Sequence, residues 1–318
     1  MKQILLKIAL FFSLVMILIV AIFMMPYSKE FAYHYIENDC YNHGAWIFDR
    51  ITKNKTPIDV AFIGSSHTIH AYQEKKMEEM LGSNVHLANL GYCRYGRNLQ
   101  YTLLKLLFQH KTPKLIVLEV SEDEDKNSHD IFPYIAETSD LLLTPTLINR
   151  DYLTDVYHGA SARLECFKAT YIFGKQLPPF NQGLYGYGES NRTAHQEELT
   201  DNEQVWKTRL ARKTTESIRK IQLRYPLTYL EKMMALMKAK NIPFVFVYLK
   251  ESGSKLDSPL YTDYYRKFAQ LLIMPPTTLS DRSYWMDASH LNDKGSEILS
   301  EWMASKLKDE LCINPESK

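Results

Sequence analysis

The sequence predicts a membrane-anchored α/β domain built on a parallel sheet, and three observations lead to this fold class. Short apolar runs rich in β-branched residues alternate with amphipathic helical segments. Such alternation is typical of a parallel sheet with helices on both faces. An apolar stretch near the N-terminus is long enough to cross a bilayer as a helix. The 318 residues suffice for one large α/β domain that carries an insertion.

The N-terminal segment predicts a transmembrane anchor. Residues 8–25 carry no charge, and Ser13 is the only polar residue among them. Lys2 and Lys7 precede the apolar run, so the positive-inside rule predicts a cytoplasmic N-terminus. A cleaved signal peptide is the alternative, but it requires small residues at a cleavage site, which this stretch lacks. We therefore expect residues 1–26 to form a single-pass anchor in the cytoplasmic (inner) membrane, with the main domain on the extracytoplasmic, periplasmic side.

The elements after the anchor follow from apolar periodicity and from Gly and Pro punctuation. Apolar runs that end in Gly or polar residues predict strands at residues 58–64, 85–92, 114–121 and 242–250, with a short extended piece at 283–287. Helical spacing predicts helices at residues 68–82, 97–111, 227–241, 258–273 and 293–311. Residues 27–57 are predicted to be a linker or approach segment that is partly helical. Residues 126–225 break the alternation, so within the domain at 58–318 they are predicted to form a helical and loop insertion or lid.

Charge and cysteine content exclude several classes of function. The net charge of +1 argues against a nucleic-acid partner. None of the cysteines are spaced as Cys-x-x-Cys, which argues against a thiolate zinc site. A disulfide such as that between Cys40 and Cys312 and four unpaired buried thiols both stay open. The histidine pair at residues 67 and 70 and the acidic run at 122–125 lack the spacing of a known metal site, so we expect no metal and no cofactor.

A serine follows the first predicted strand, at the point where a helix is expected to begin. Ser66 would then lie at the carboxyl end of the sheet, where ligands of such folds bind. A serine is a weak nucleophile unless a base lies within hydrogen-bond reach and a carboxylate orients that base. Asp287 and His290, three residues apart in a late turn, offer both groups. A helix-capping role is the alternative for each residue alone, but the pair in this order favours a catalytic triad.

These two segments resemble the sequence blocks of the SGNH (GDSL-like) hydrolase superfamily. FIGSSH at residues 62–67 is similar to the first block, a strand followed by Gly-Asp-Ser or a variant. DASHLNDKG at residues 287–295 matches the last block, Asp-x-x-His-x-x-x-x-Gly. The resemblance covers about residues 58–121 and 230–310. It implies a three-layer α/β/α, flavodoxin-like fold with Ser66 as nucleophile, His290 as base and Asp287 as its orienter.

The middle blocks of the superfamily supply the oxyanion hole and match less closely. Residues 89–96 resemble the second block, which implies that Gly91 or Gly96 donates an N–H to the oxyanion beside that of Ser66. Arg94 and Arg97 lie where a substrate phosphate or carboxylate would be held, with surface arginine as the alternative. The third block normally supplies an Asn donor, but residues 118–122 contain none. Loss of one such donor typically costs about a hundredfold or more in rate.

The layout resembles that of membrane-anchored SGNH-like proteins that work beside polytopic acyltransferases, such as alginate O-acetylation proteins and the D-alanyl transfer protein of teichoic acid synthesis. This resemblance implies a serine acyltransferase or esterase that acts on O-acyl groups of a cell-envelope or secreted glycan. Its expected partners are the lipid bilayer, the glycan substrate and a polytopic membrane acyltransferase. The alternative is a non-catalytic scaffold that uses the same fold to bind a glycan or the membrane acyltransferase.

Overall fold

Five parallel strands form the centre of the chain, which is described here from a computed structural model. The structure describes residues 2–36, 41–82, 84–144, 148–212 and 215–311, apart from the side chains of residues 41 and 42. The strand order is β2-β1-β3-β4-β5, and all four neighbouring pairs run parallel. The strands are β1 (Val60–Ile63), β2 (Leu87–Asn89), β3 (Leu115–Val120), β4 (Phe244–Tyr248) and β5 (Leu271–Ile273).

Helices fill the connections between the strands. The first eight are α1 (Lys2–Phe23), α2 (Lys29–Tyr35), α3 (Tyr41–Thr52), α4 (Ser66–Ile69), α5 (Glu74–Leu81), α6 (Arg97–His110), α7 (Phe132–Ile135) and α8 (Thr138–Leu142). The others are α9 (Tyr152–Phe167), α10 (Gln196–Ala211), α11 (Glu216–Ala239), α12 (Thr262–Arg266) and α13 (Asp293–Glu310). A π-helical segment (Lys168–Ile172) extends α9, and a 3₁₀ turn (Arg282–Tyr284) precedes α13.

Both faces of the sheet are buried, which is why its strands read as continuous apolar runs. Side chains alternate along a strand, so Ala61 and Ile63 enter one cluster while Val60 and Phe62 enter the other. The first cluster contains residues of α3, α6 and α11, and the second contains residues of α5 and α13. The coarse prediction of a parallel α/β sheet covered by helices on both faces is confirmed. The sheet thereby places the ends of β1 and β3 and the turn before α13 in a fixed framework.

Two predicted elements near the C-terminus were wrong. The helix predicted at residues 258–273 ends at Arg266, and Leu271–Ile273 forms β5, which pairs with β4 at the edge of the sheet. The sequence of a short apolar run is compatible with either a helix or a strand. Here hydrogen bonding to the edge of β4 makes the run a strand. The extended piece predicted at residues 283–287 is a 3₁₀ turn followed by a single bridge between Trp285 and Leu291.

Other element boundaries also differ from the sequence prediction. The single helix predicted at residues 68–82 is divided into α4 and α5. The helix predicted at residues 227–241 begins at Glu216 and continues through Pro226. The segment predicted as a linker contains α3, whose Trp46 and Ile47 are part of the hydrophobic core. The segment is therefore partly helical, as expected, and α3 contributes side chains to the core.

The N-terminal apolar segment forms α1, as predicted. Among the described residues, α1 is the one helix long and apolar enough to span a membrane. Its apolar side chains are exposed apart from the C-terminal end, where Phe23 is buried against the rest of the chain. An exposed apolar helix of 22 residues matches the thickness of a bilayer core.

The cysteines occupy two different states. Cys93 is disulfide-bonded, whereas Cys166 is buried and free. The alternative of four unpaired thiols is therefore wrong for Cys93. Cys40 and Cys312 lie outside the described residues, and so does the pairing that the sequence suggested between them.

Candidate active site

The turn at residues 64–68, called the Ser66 turn below, lies directly after β1 and is held by a buried carboxylate. Gly64 ends the strand, and a Cβ atom there would lie 2.2 Å from Glu119 Oε2. Glu119 Oε2 accepts hydrogen bonds from the Ser65 N–H at 2.6 Å and from the Thr68 hydroxyl at 2.5 Å. Glu119 Oε1 accepts one from the Ser65 hydroxyl at 2.7 Å. Glycine at residue 64 thus lets β3 reach the turn and fix the backbone on both sides of Ser66.

Glu119 is a site residue that sequence reasoning missed. It lies in the interior of β3, a strand whose other residues are apolar, and it is buried. A buried carboxylate is costly unless hydrogen-bond donors satisfy it, so a lone Glu in such a run signals a cluster of donors nearby. The sequence contained that signal, but only the fold shows that the donors belong to the turn after β1.

Ser66, His290 and Asp287 form one continuous hydrogen-bonded chain. The Ser66 Oγ lies 2.7 Å from His290 Nε2. The opposite ring nitrogen, His290 Nδ1, lies 2.9 Å from Asp287 Oδ2 and 3.0 Å from Asp287 Oδ1. The structure thus brings together three residues from two turns that are more than 200 positions apart, at separations that suit proton transfer.

The Asp287 turn is built to hold a carboxylate in its ionised form. Asp287 Oδ1 accepts backbone N–H groups from Ser289 at 2.7 Å and from His290 at 2.9 Å. Partial burial opposes ionisation, but these bonds and the His290 side chain together lower the pKa of Asp287 well below its usual range. The Met286 N–H donates to the His290 carbonyl oxygen at 3.0 Å and closes the turn. The ionised carboxylate therefore orients the imidazole through Nδ1 and leaves Nε2 facing the serine.

The two glycines predicted as oxyanion donors occupy different positions. The Gly91 N–H donates to the Asn89 side-chain oxygen at 3.3 Å, so this donor is already used inside the protein. A Cβ atom at Gly91 would lie 2.7 Å from the Ser65 carbonyl oxygen, which explains the need for glycine there. Gly96 precedes α6, and a Cβ atom there would lie 2.6 Å from His129 Cβ. Both glycines serve close packing, and Gly91 does not present a free donor to Ser66.

The two predicted substrate arginines also differ. Arg97 is buried, and its guanidinium contacts Glu124 through Nε and Nη2, with a shortest distance of 2.6 Å. Its Nη1 donates to Gln100 Oε1 and to the Glu119 carbonyl oxygen. We therefore assign Arg97 a role in holding β3 against α6, in place of the predicted substrate contact. Arg94 is exposed, pairs with Asp130 and lines the cavity that contains Ser66.

Two further histidines surround the base. The ring centroids of His67 and His70 lie 5.4 Å and 5.1 Å from that of His290. His70 Nδ1 bonds to the Gly188 carbonyl oxygen at 2.7 Å, and burial lowers the pKa of His70. His67 Nδ1 is buried and lacks a hydrogen-bond partner among the described residues. No group of His, Cys, Asp and Glu side chains in the described part of the chain is arranged to hold a metal ion.

A cavity of about 700 Å³ opens above Ser66. Six carboxylates line the cavity. Three are engaged by the Ser66 turn, Arg97 and Lys126, namely Glu119, Glu124 and Asp123. The other three, Glu122, Asp125 and Glu251, accept hydrogen bonds from the Glu251 N–H, the Asn127 N–H and Trp206 Nε1. The opposite wall carries two aromatic rings, each covered by a guanidinium: Arg209 over Trp206 at 5.0 Å and Arg219 over Tyr261 at 5.8 Å. These two arginines form no ion pair within the described residues. The cavity thus surrounds the serine with both acidic and basic side chains.

We predict that Glu119→Gln destabilises the site. A glutamine has one acceptor oxygen in place of two, so at least one of the three donors at this position loses its partner. An unsatisfied buried donor typically costs about 1–3 kcal/mol. Thr68→Val, which removes one of these donors together with its need for an acceptor, should cost less. The melting temperature of the detergent-solubilised chain measures both effects, and an unchanged value for Glu119→Gln would contradict this account.

Comparisons with known proteins do not assign the chain to a family. No protein-family model matches it, and no curated protein matches it in sequence. The argument for function therefore depends on the geometry of the site. A serine, an imidazole and a carboxylate in this arrangement can activate the hydroxyl for attack on a carbonyl carbon.

Proposed function

We propose that the chain is a membrane-anchored, SGNH-type serine acyltransferase or esterase that acts on O-acyl groups of a cell-envelope or secreted glycan. The observation that carries this proposal is the Ser66–His290–Asp287 chain of hydrogen bonds. The strand order 2-1-3-4-5 supports it, because this is the order of flavodoxin-like sheets, whose ligands bind at the carboxyl ends of the strands. Ser66 follows β1 at that end.

The first half of the proposed reaction forms an acyl-serine. Ser66 Oγ attacks the acyl carbonyl carbon while its proton moves to His290 Nε2, and the carbonyl oxygen becomes an oxyanion. Collapse of this intermediate breaks the ester bond, and the imidazolium returns its proton to the departing alcohol oxygen. Asp287 remains ionised and stabilises the imidazolium throughout. The enzyme now carries the acyl group on Ser66, and the donor leaves as an alcohol.

The second half resolves the acyl-serine with a hydroxyl group from the acceptor. His290 removes the proton from that hydroxyl, whose oxygen attacks the acyl carbon, and the Ser66 oxygen leaves with the proton. A sugar hydroxyl gives O-acylation, whereas water gives deacylation. No cofactor takes part in these steps. The polar and charged side chains that line the cavity suit a saccharide acceptor, because sugar hydroxyl groups can donate to and accept from such groups.

The oxyanion is stabilised in this proposal by the Ser66 N–H, which has no acceptor among the described residues. Because Gly91 N–H is engaged by Asn89 and β3 supplies no Asn, the oxyanion hole has fewer donors than the superfamily pattern implies. The enzyme is therefore slow alone or is completed by a partner. A polytopic membrane acyltransferase is the partner that the layout suggests.

The proposed location is the extracytoplasmic side of the cytoplasmic membrane. Lys2 and Lys7 lie at the N-terminal end of α1 and favour a cytoplasmic N-terminus. The disulfide at Cys93 suits an oxidising compartment, since cytosolic thiols are kept reduced. Both observations support the proposal that the Ser66 cavity lies outside the cytoplasm.

A non-catalytic scaffold remains the second candidate, and the absence of an Asn at the end of β3 favours it. The detergent-solubilised full-length chain separates the candidates when it is supplied with p-nitrophenyl acetate, with and without a polysaccharide acceptor. Release of p-nitrophenol that depends on Ser66 supports catalysis, and acetyl groups on the polysaccharide identify transfer. If the folded chain releases no p-nitrophenol and transfers no acetyl group, with or without membranes that contain an acyltransferase partner, the catalytic proposal fails.

A further inference from the structure

An apolar strip on α9 lies exposed beside the end of α1. Leu153 and Tyr157, one helical turn apart, are 77% and 69% exposed. Val156, Ala160 and Leu164, which are half-buried, share their face, because residues at this spacing lie on one side of a helix. None of these five side chains is charged. The buried Asp155 and Cys166 lie on a different face of α9, whereas the buried Arg163 borders the strip, three residues after Ala160. An exposed apolar strip of this kind on an otherwise packed helix marks a contact surface.

The strip is continuous with the surface of α1. Phe23, at the end of α1, is 7% exposed and belongs to a cluster against which Ile19, Val156 and Ala160 also pack. The Arg163 guanidinium of α9 lies 4.5 Å above the Phe23 ring. The C-terminal end of α1 is therefore fixed against α9, and the position of one helix determines that of the other.

The depth of the strip follows from the length of α1. A helix of 22 residues is about 33 Å long, close to the roughly 30 Å thickness of a bilayer core. Ile19 and Phe23 lie in its last turns, so they reach the outer edge of the apolar layer. The face of α9 that packs beside them lies at the same depth. Leucine and tyrosine are suited to this position, since tyrosine is enriched at membrane–water interfaces.

We propose that the α9 strip, residues Leu153, Val156, Tyr157, Ala160 and Leu164, enters the surface of the bilayer that α1 spans, so that lipid is its occupant. The domain then has two membrane contacts in place of a single flexible tether. This inference does not depend on the proposed chemistry, because it follows from α1 and α9 alone.

The second contact fixes the orientation of the Ser66 cavity. A neighbouring cavity of about 610 Å³ is bordered by α9 and shares Arg94 and Asn127 with the cavity above Ser66. Its residues from α9 are Thr154, Asp155 and His158. Thr154, Asp155 and His158 lie on the opposite side of α9 from the strip, so lipid contact at the strip leaves this cavity facing away from the bilayer.

The test places a fluorophore on the strip in the full-length chain. Leu153→Cys and Tyr157→Cys are made one at a time, labelled with NBD and reconstituted into phosphatidylcholine vesicles that contain a nitroxide on carbon 5 of the acyl chain. The parent chain treated with the same reagent gives the contribution of its native thiols. Phe268→Cys is the matched control, because Phe268 is 45% exposed and lies outside the clusters that hold α1. We expect nitroxide quenching at residues 153 and 157 to exceed that at residue 268 by at least about threefold, since nitroxide quenching requires contact at the depth of the probe.

Quenching at residues 153 and 157 no greater than at residue 268 would overturn the proposal. Weak quenching together with energy transfer between labelled chains would also overturn it, because a second copy would then cover the strip. In a second variant, Leu153→Asp and Tyr157→Asp are combined and the fluorophore is placed at Leu143, which is also highly exposed. Lipid quenching at residue 143 should fall while α1 keeps the chain in the vesicles, and unchanged quenching would contradict the role of the strip.

Discussion

Ser66→Ala is expected to abolish acyl transfer and ester hydrolysis by the chain. The Ser66 Oγ is the atom that His290 Nε2 faces at 2.7 Å, and alanine removes this proposed nucleophile without adding volume. Loss of a triad serine typically lowers the turnover rate by about 10⁴-fold or more, because only binding and the oxyanion donors remain. The rate of p-nitrophenol release from p-nitrophenyl acetate by the purified full-length chain measures this loss.

Ser121→Ala is the matched control for the serine variant. Ser121 lines the same cavity, but its hydroxyl donates to the Asp123 carbonyl oxygen and is not near a base. Its replacement should change the rate less than about threefold, since it removes one partly exposed hydrogen bond. Equal loss in the two variants would indicate that the cavity has been disturbed as a whole. Full activity in Ser66→Ala would exclude Ser66 as the nucleophile.

Asp287→Asn is expected to lower the turnover rate by about 10³- to 10⁴-fold, because an amide no longer selects the imidazole tautomer that presents Nε2 to the serine. The two Asp287 oxygens lie 2.9 and 3.0 Å from His290 Nδ1, so the variant keeps the shape of the turn while it removes the charge. Asp281→Asn is the control, since Asp281 caps the nearby 3₁₀ turn and is exposed. It should retain full activity, and a comparable loss there would contradict the assigned role of Asp287.

The same aspartate predicts how stability depends on pH. The folded state lowers the pKa of Asp287 below its ordinary value of 3.8, although burial acts in the opposite direction. A carboxyl with a depressed pKa stabilises the fold at pH values above its ordinary pKa, and this contribution is lost as the pH falls through the depressed value. The melting temperature of the wild type should therefore exceed that of Asp287→Asn at pH 7, with the difference shrinking below about pH 4. A difference that grows towards acid would contradict the direction of this shift.

The triad residues could be predicted from the sequence because each lies beside a strong local signal. Ser66 follows a buried strand and a glycine, and Asp287 and His290 share a turn that precedes an amphipathic helix. Local chemistry does not show which way a side chain points when the partner is distant. Arg97 reads as an exposed arginine near a turn, yet its partner Glu124 is 27 positions away and draws it into the core.

The limits of the fold prediction have the same origin. Leu271–Ile273 continues a helical pattern, but pairing with β4 makes it a strand, and that pairing is a tertiary contact. The sequence predicts the Gly91 N–H as an oxyanion donor, but in the structure this N–H donates to the Asn89 side-chain oxygen. The role of Glu119 required knowledge that β3 lies beside β1. Each case was decided by a contact between segments that are far apart in the chain.

The central claim is that Ser66 is an activated nucleophile, and covalent labelling tests it most directly. The full-length chain in detergent is treated with a fluorophosphonate probe beside Ser66→Ala and His290→Ala, and the adduct is located by peptide mass spectrometry. We expect one adduct on Ser66 in the wild type and none in either variant. No adduct on the folded wild type, or an adduct that persists in His290→Ala at the same rate, would contradict the proposed triad.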